Sequence, residues 1–212
     1  MRSNNAFINS RIVPLVVVAA FILIMLGYSQ TARMNETKDG NRDLATSFPK
    51  RAYQANYEQK TETETGVMVV YSDGLGHVRV ENNFQNSKNP QITIYDFNNK
   101  KKYFLQEAAK TYMVSGMSSL GMGFMDEEMF KSTGADSLGE ADILGRPSIG
   151  YKSTLLGEGN SAIESWFDKA TGCLMKSKTN VITYTFIHYT SKPPRSQLFE
   201  VPKDYREIPL GF

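Results

Sequence analysis

The stretch TGVMVVYSDGLGHVRVEN, residues 65–82, places two short β-prone runs on either side of the turn-forming SDGLG at 72–76. Val and Tyr suit a pleated, half-buried surface, and glycine supplies the positive backbone angles that tight hairpin turns need. The stretch therefore predicts a β-hairpin. In its second arm, Val78 and Val80 fall on one side of the strand and Arg79 and Glu81 on the other.

The same punctuation repeats along the chain. QITIYDF (91–97), KKYFLQ (101–106), SIGYKSTLL (148–156), SAIESWFD (161–168), CLMKSKT (173–179) and VITYTFIHYT (181–190) are each bounded by Gly, Asn, Asp or Pro. NNK at 98–100, GEGN at 157–160 and KATG at 169–172 are hairpin-sized links. The pattern predicts one mainly β domain over 51–212, an antiparallel meander of about eight to ten strands that twists and tends to curl. Lys100, Lys101 and Lys102 read as a hairpin edge, where lysines block edge-to-edge pairing. In the last strand, His188 alternates with Ile182, Tyr184 and Phe186 and is expected on their face as a core or rim residue. Trp166 is expected as a buried core anchor.

One segment departs from strand chemistry. MVSGMSSLGMGFMDEEMF, residues 113–130, carries Met113, Met117, Met122, Met125 and Met129, half of the ten methionines in the chain. GFMDEEMFKS (123–132) predicts a short helix, with Met125, Met129 and Phe124 on one side and Asp126, Glu127 and Glu128 near its positive end. Gly116, Gly121 and Gly123 would each cost a helix interior about 1 kcal/mol, so the residues before Phe124 read as loop or broken helix. Methionine is unbranched and polarizable, which suits a surface that repacks around apolar ligands. The alternative is an ordinary packed lid over the sheet.

The N-terminus reads as an export signal. Arg2 and Arg11 precede the uncharged run IVPLVVVAAFILIMLGY, residues 12–28, and Gly27-Tyr28-Ser29 offers a small-x-small cleavage site. The run is near the lower limit for spanning a bilayer of about 30 Å, so residues 1–32 are either a cleaved signal peptide or a retained membrane anchor. Residues 33–50 form a polar tether.

Composition narrows the function classes. With 24 basic and 22 acidic residues scattered along the chain, no footprint for nucleic acid is present. A single cysteine, Cys173, permits no intramolecular disulfide, and two histidines far apart, His77 and His188, do not make a metal site. VSGMSSLG lacks the nucleophile elbow, and its GMG lacks the third glycine of a dinucleotide site. No cofactor is expected, and the sequence predicts a protein that is not an enzyme.

From Asp142 onward, DILGRPSIGYKSTLL, ESWFDKATGCLMKSK and LFEVPKDY resemble an exported bacterial family, domain of unknown function 4412. The residues that carry the likeness are Gly145, Gly150, Tyr151, Trp166, Asp168, Thr171, Gly172, Phe199, Pro202 and Tyr205. Upstream, VRVE, IYDFNNKKKYFL and Tyr112 add to it, so that it spans residues 60–210. One departure is the turn Thr171-Gly172-Cys173-Leu174, where relatives tend to carry proline. That family is similar in turn to the LolA/LolB lipoprotein-carrier fold. The resemblance implies an open half-barrel of antiparallel strands, its concave face covered by short helices, with carriers of that fold holding acyl chains in the concavity.

Two functions are expected from this reading. The first is an extracytoplasmic protein binding a lipid or lipoprotein acyl chain in the concavity, through Met113, Met117, Met122, Met125, Met129, Phe124 and Arg79. The second is a non-enzymatic interaction module of the cell envelope whose concavity is filled by its own side chains. For Arg79 the bland alternative is a polar pair with Glu81.

Overall fold

The computed structural model describes residues 48–117, 127–154 and 162–209. The apolar run at 12–28, most of the tether, and Met122, Phe124 and Met125 lie outside the described residues. Among the described residues, no helix is long and apolar enough to cross a membrane.

The opening hairpin forms as the sequence predicts. β2 (Thr65–Asp73) and β3 (His77–Phe84) pair antiparallel, with Val70 opposite Val80. Their turn uses Gly74 at φ 73° and Gly76 at φ 110°. A Cβ on Gly76 would come within 2.6 Å of the Asn98 side chain, so this position needs glycine for space as well as for backbone angle.

Around this hairpin, β1 (Ala52–Thr61), β4 (Gln91–Asp96), β5 (Lys101–Gln106) and β6 (Thr111–Gly116) complete a meander. A second meander comprises β7 (Asp136–Ile143), β8 (Arg146–Ser153), β9 (Ile163–Asp168), β10 (Leu174–Lys178) and β11 (Ile182–Thr190). β11 pairs with β1, which joins the two halves, and the short β12 (Arg206–Glu207) adds to β6 in parallel. The result is one large sheet in the order β12-β6-β5-β4-β3-β2-β1-β11-β10-β9-β8-β7. Apart from the β12–β6 pair, its pairings are antiparallel.

Strand alternation divides this sheet into two differently used faces. One carries the main core: Ala55 and Tyr57 of β1, Met68 and Val70 of β2, Val78 and Val80 of β3, and Tyr95 of β4 are buried together with Tyr151 and Phe167 of β8 and β9. Tyr95 of β4 and Tyr184 of β11 belong to the same apolar cluster, although three strands stand between theirs. On a flat sheet that separation is about 19 Å, so the sheet curls with this face inward.

The outer face is crossed by the chain end. After β11, residues 191–209 pass back over β3 to β5, where Val201 and Tyr205 pack on Ile92, Ile94 and Leu105. The strap includes a 3-10 turn at Ser196–Phe199 and ends as β12 beside β6, where Ile208 N–H donates to the Tyr112 carbonyl at 2.9 Å.

Four expectations change, and one lies partly outside the described residues. β7 is an extra edge strand whose residues are exposed except for half-buried Ile143, so it had no apolar alternation to reveal it. The expected helix is described over Glu127–Ser132, as α1, and the start of the expected segment, 123–126, lies outside the described residues. Lys101 and Lys102 open β5, an interior strand rather than an edge. His188 is exposed, because the β1–β11 register shifts between Asn56 and Tyr57, which places Ile187 as a bulge. One extra residue reverses the alternation, so Tyr189 packs against the core in place of His188. Trp166 is half-buried and lies outside the core cluster, on the outer face over Gly150. Its register partner Lys176 shares that face, one residue out of phase with buried Ser165 and Phe167.

Candidate functional site

β6 lies next to one edge of the sheet and β7 forms the other, and the link between the two meanders, residues 117–135, joins these two strands. Both described ends of this link are in the inner core. Met117 donates its N–H to the Lys100 carbonyl at 2.9 Å and is 9% exposed. Phe130 of α1 is fully buried, with its ring centroid 5.5 Å from Phe167 and 6.2 Å from Tyr151. The Tyr151 hydroxyl donates to Glu127 Oε1 at 3.1 Å, which ties the start of α1 to β8.

The expected ligand residues divide between places. Met113 is half-buried in β6 opposite Phe104, which in turn pairs with Thr93 opposite Val80, so it belongs to the inner face with Met117. Met129 lies within α1. Arg79 is on the other face: its partner Ile94 belongs to the outer cluster under the strap. There it is 8% exposed, donating from Nε to Glu81 Oε1 at 2.6 Å and from Nη1 to the Leu198 carbonyl at 3.2 Å. The structure therefore brings Met113 and Met117 to one face and sets Arg79 apart from them.

Sequence reasoning missed Gln59. It is fully buried at the inward register of β1, two residues beyond Tyr57, between Gly66 of β2 and Tyr184 of β11. Its Nε2 donates to the Val67 carbonyl at 3.5 Å, and its Oε1 has no hydrogen-bond partner. Further along the same row, Ser165 and Ser177 are fully buried and joined by a 2.9 Å hydroxyl contact. The inner face is thus apolar with a polar row across it. The readable signal was the alternation Tyr53, Ala55, Tyr57, Gln59, in which an amide continues an apolar series.

Burial disfavours the anions of Cys173, Tyr57 and Tyr95 on this face. Burial pushes the Cys173 thiol up to about 11, and its Sγ is 3.6 Å from the Tyr57 hydroxyl, itself raised well above the usual tyrosine range by burial and by Cys173. Burial also raises Tyr95 to about 12. A thiol in that state is a poor nucleophile. On the outer side, His77 Nδ1 is 2.6 Å from Asp73 Oδ2, and its ring lies against Phe199 of the strap, centroids 6.3 Å apart. Among the described residues, no three His, Cys, Asp or Glu side chains are grouped to hold a metal. An open depression of about 440 Å³ on the outer side is lined by Glu58, Val67, Asn83 and Ile187, away from the methionines.

No protein-family model matches the chain, so the resemblance to domain of unknown function 4412 stands on its motif residues. No curated protein matches it. Among solved structures, an uncharacterized conserved protein from Thermus thermophilus is similar over 76% of this chain and 91% of its own, with TM-score 0.57 and 15% identity. MucB is similar over 76% of this chain with TM-score 0.46 and 13% identity, and this chain spans 61% of its length. A LolA superfamily protein from Nitrosomonas europaea is similar over 74% of this chain and 94% of its own, with TM-score 0.37 and 9% identity. The first of these likenesses shows that the large curled sheet is a fold found in another solved protein.

Proposed function

We propose that this is an extracytoplasmic envelope protein that shelters a hydrophobic ligand, a lipid or the acyl chain of a lipoprotein, against the inner face of a LolA-like half-barrel. The observation that carries the reading is the burial of both Met117 and Phe130, the two described ends of the inter-meander link, in one apolar cluster on that face. Between these two anchors the sequence carries Met122 and Met125, and methionine is adaptable enough to repack around an apolar ligand. No cofactor and no catalytic group enters this function, and the apolar N-terminal run directs the domain out of the cytoplasm.

The test is titration of the full-length chain with a fluorescent fatty-acid probe, before and after exchange of Met117, Met122 and Met125 for Ser. The ligand reading expects binding to be lost with the exchange. Unchanged probe binding with a markedly lowered melting temperature contradicts it, because buried apolar side chains removed from a packed lid cost about 2–5 kcal/mol each.

A second reading rests on its own observation. Ala55, Val78 and Phe167 on the inner face are completely buried within the chain itself. A concavity already filled would leave the outer surfaces and the β7 edge to engage another protein.

A further inference from the structure

We infer that the Gln59 carbonyl forms a polar subsite on the inner face, taking an aliphatic ligand that carries a neutral hydrogen-bond donor, a hydroxyl or an amide N–H. The inference rests on the ligand reading above and specifies the chemistry of that ligand. Gln59 is completely buried, and among the described residues its Oε1 is the one buried side-chain nitrogen or oxygen that lacks a partner. Its orientation is set by the Val67 carbonyl, which faces Nε2. Turning the amide over would bring oxygen against oxygen, so Oε1 is the amide atom left without a partner.

The surroundings decide which donor suits it. Tyr57 and Met68 lie beside Gln59 on the inner face, Tyr184 is opposite on β11, and Ser177 follows in the same row. None of these carries a negative charge, so an ammonium brought here would be desolvated without a counter-charge. Ser165 and Ser177 already bond each other. A neutral O–H or N–H on an apolar chain satisfies the acceptor and leaves the rest of the wall in contact with hydrocarbon. A buried acceptor left unpaired discriminates against the ligand that lacks the donor.

The experiment compares 1-dodecanol with dodecyl methyl ether as competitors of a fluorescent fatty-acid probe, using the full-length chain and its Gln59→Met variant. N-methyldodecanamide against N,N-dimethyldodecanamide separates an amide source from a hydroxyl source. The expected result is a preference for at least one donor-bearing member of about tenfold, the ratio one net hydrogen bond of this kind produces, and loss of that preference in Gln59→Met with ether binding retained. Equal affinity within both pairs for the unaltered chain overturns the inference, with water satisfying Gln59, and leaves the ligand reading standing. A preference that persists in Gln59→Met overturns it too. Failure of the probe and of every competitor to bind the unaltered chain overturns both readings. If Gln59→Met does not fold, the matched pairs on the unaltered chain still decide.

Discussion

Arg79 donates from Nη1 to the backbone carbonyl of Leu198 at 3.2 Å, joining residues 119 positions apart. The contact fastens the C-terminal strap to the outer face of β3, while Nε holds Glu81 at 2.6 Å. Arg79→Met is therefore expected to loosen the strap and lower stability by about 1–3 kcal/mol, since a hydrogen bond from a buried charge is lost and Glu81 is left without its partner. Hydrogen exchange of amides in residues 196–208 reads the outcome. Unchanged protection there would show that the strap is held by Val201 and Tyr205 without Arg79.

Gly150 and Trp166 make the second prediction. A Cβ on Gly150 would meet Trp166 Nε1 at 2.7 Å and Leu138 Cβ at 3.0 Å. Gly150→Ala should displace the indole, shift its emission and lower stability by about 1–3 kcal/mol. In the unaltered chain Trp166 should be partly quenched by iodide, as a half-buried ring on the outer face. Full protection from iodide would place it in the core after all.

Asp168 organizes the β9–β10 turn. It is 3% exposed and accepts from Arg146 Nη1 at 3.0 Å, from the Thr171 N–H at 3.2 Å and from the Thr171 hydroxyl. Asp168→Ala removes these acceptors at once and should lower stability by about 1–3 kcal/mol, with Arg146 able to turn to solvent. Thermal unfolding of the variant measures this, and a melting temperature equal to that of the unaltered chain would show the turn to be held by Gly172 alone.

Alkaline pH should unfold the domain in a defined window. The Cys173 thiol rises from an ordinary 9.0 to about 11 and Tyr95 from 10.0 to about 12, with Tyr57 raised in the same direction, each because burial disfavours its anion. A group that holds its proton more tightly when folded contributes stability that is whole below its unfolded pKa and is lost as pH rises through the folded one. Melting temperatures measured upward from pH 8 should therefore begin to fall near pH 9 and decline further up to pH 12. A flat profile across that window contradicts the burial of these groups. At pH 8 the same burial should keep Cys173 unreactive toward a maleimide until the chain unfolds.

The fold was legible where alternation was strong. The β2–β3 hairpin declared itself because Val70 and Val80 pair on one face with glycines in the turn. β7 was hidden because an exposed edge strand needs no apolar residues, and His188 was misplaced because a bulge leaves no mark in composition. The motif residues behind the family resemblance now have structural reasons. Gly145 and Gly172 have positive φ in turns, Gly150 makes room for Trp166, Asp168 binds its turn, and Tyr205 packs the strap onto the sheet. These residues encode folding, which is why they named no ligand. Gln59 was missed because a single glutamine in a strand looks like ordinary surface until the register turns it inward.

The most direct test of the ligand reading is native mass spectrometry of the full-length chain, isolated from its native source without added lipid. A bound hydrophobic molecule should appear as a discrete mass increment on the folded chain and disappear when the protein is unfolded. A folded chain at its bare mass in every preparation, with no increment on incubation with phospholipid vesicles, would contradict the proposal and leave a concavity filled by the protein itself.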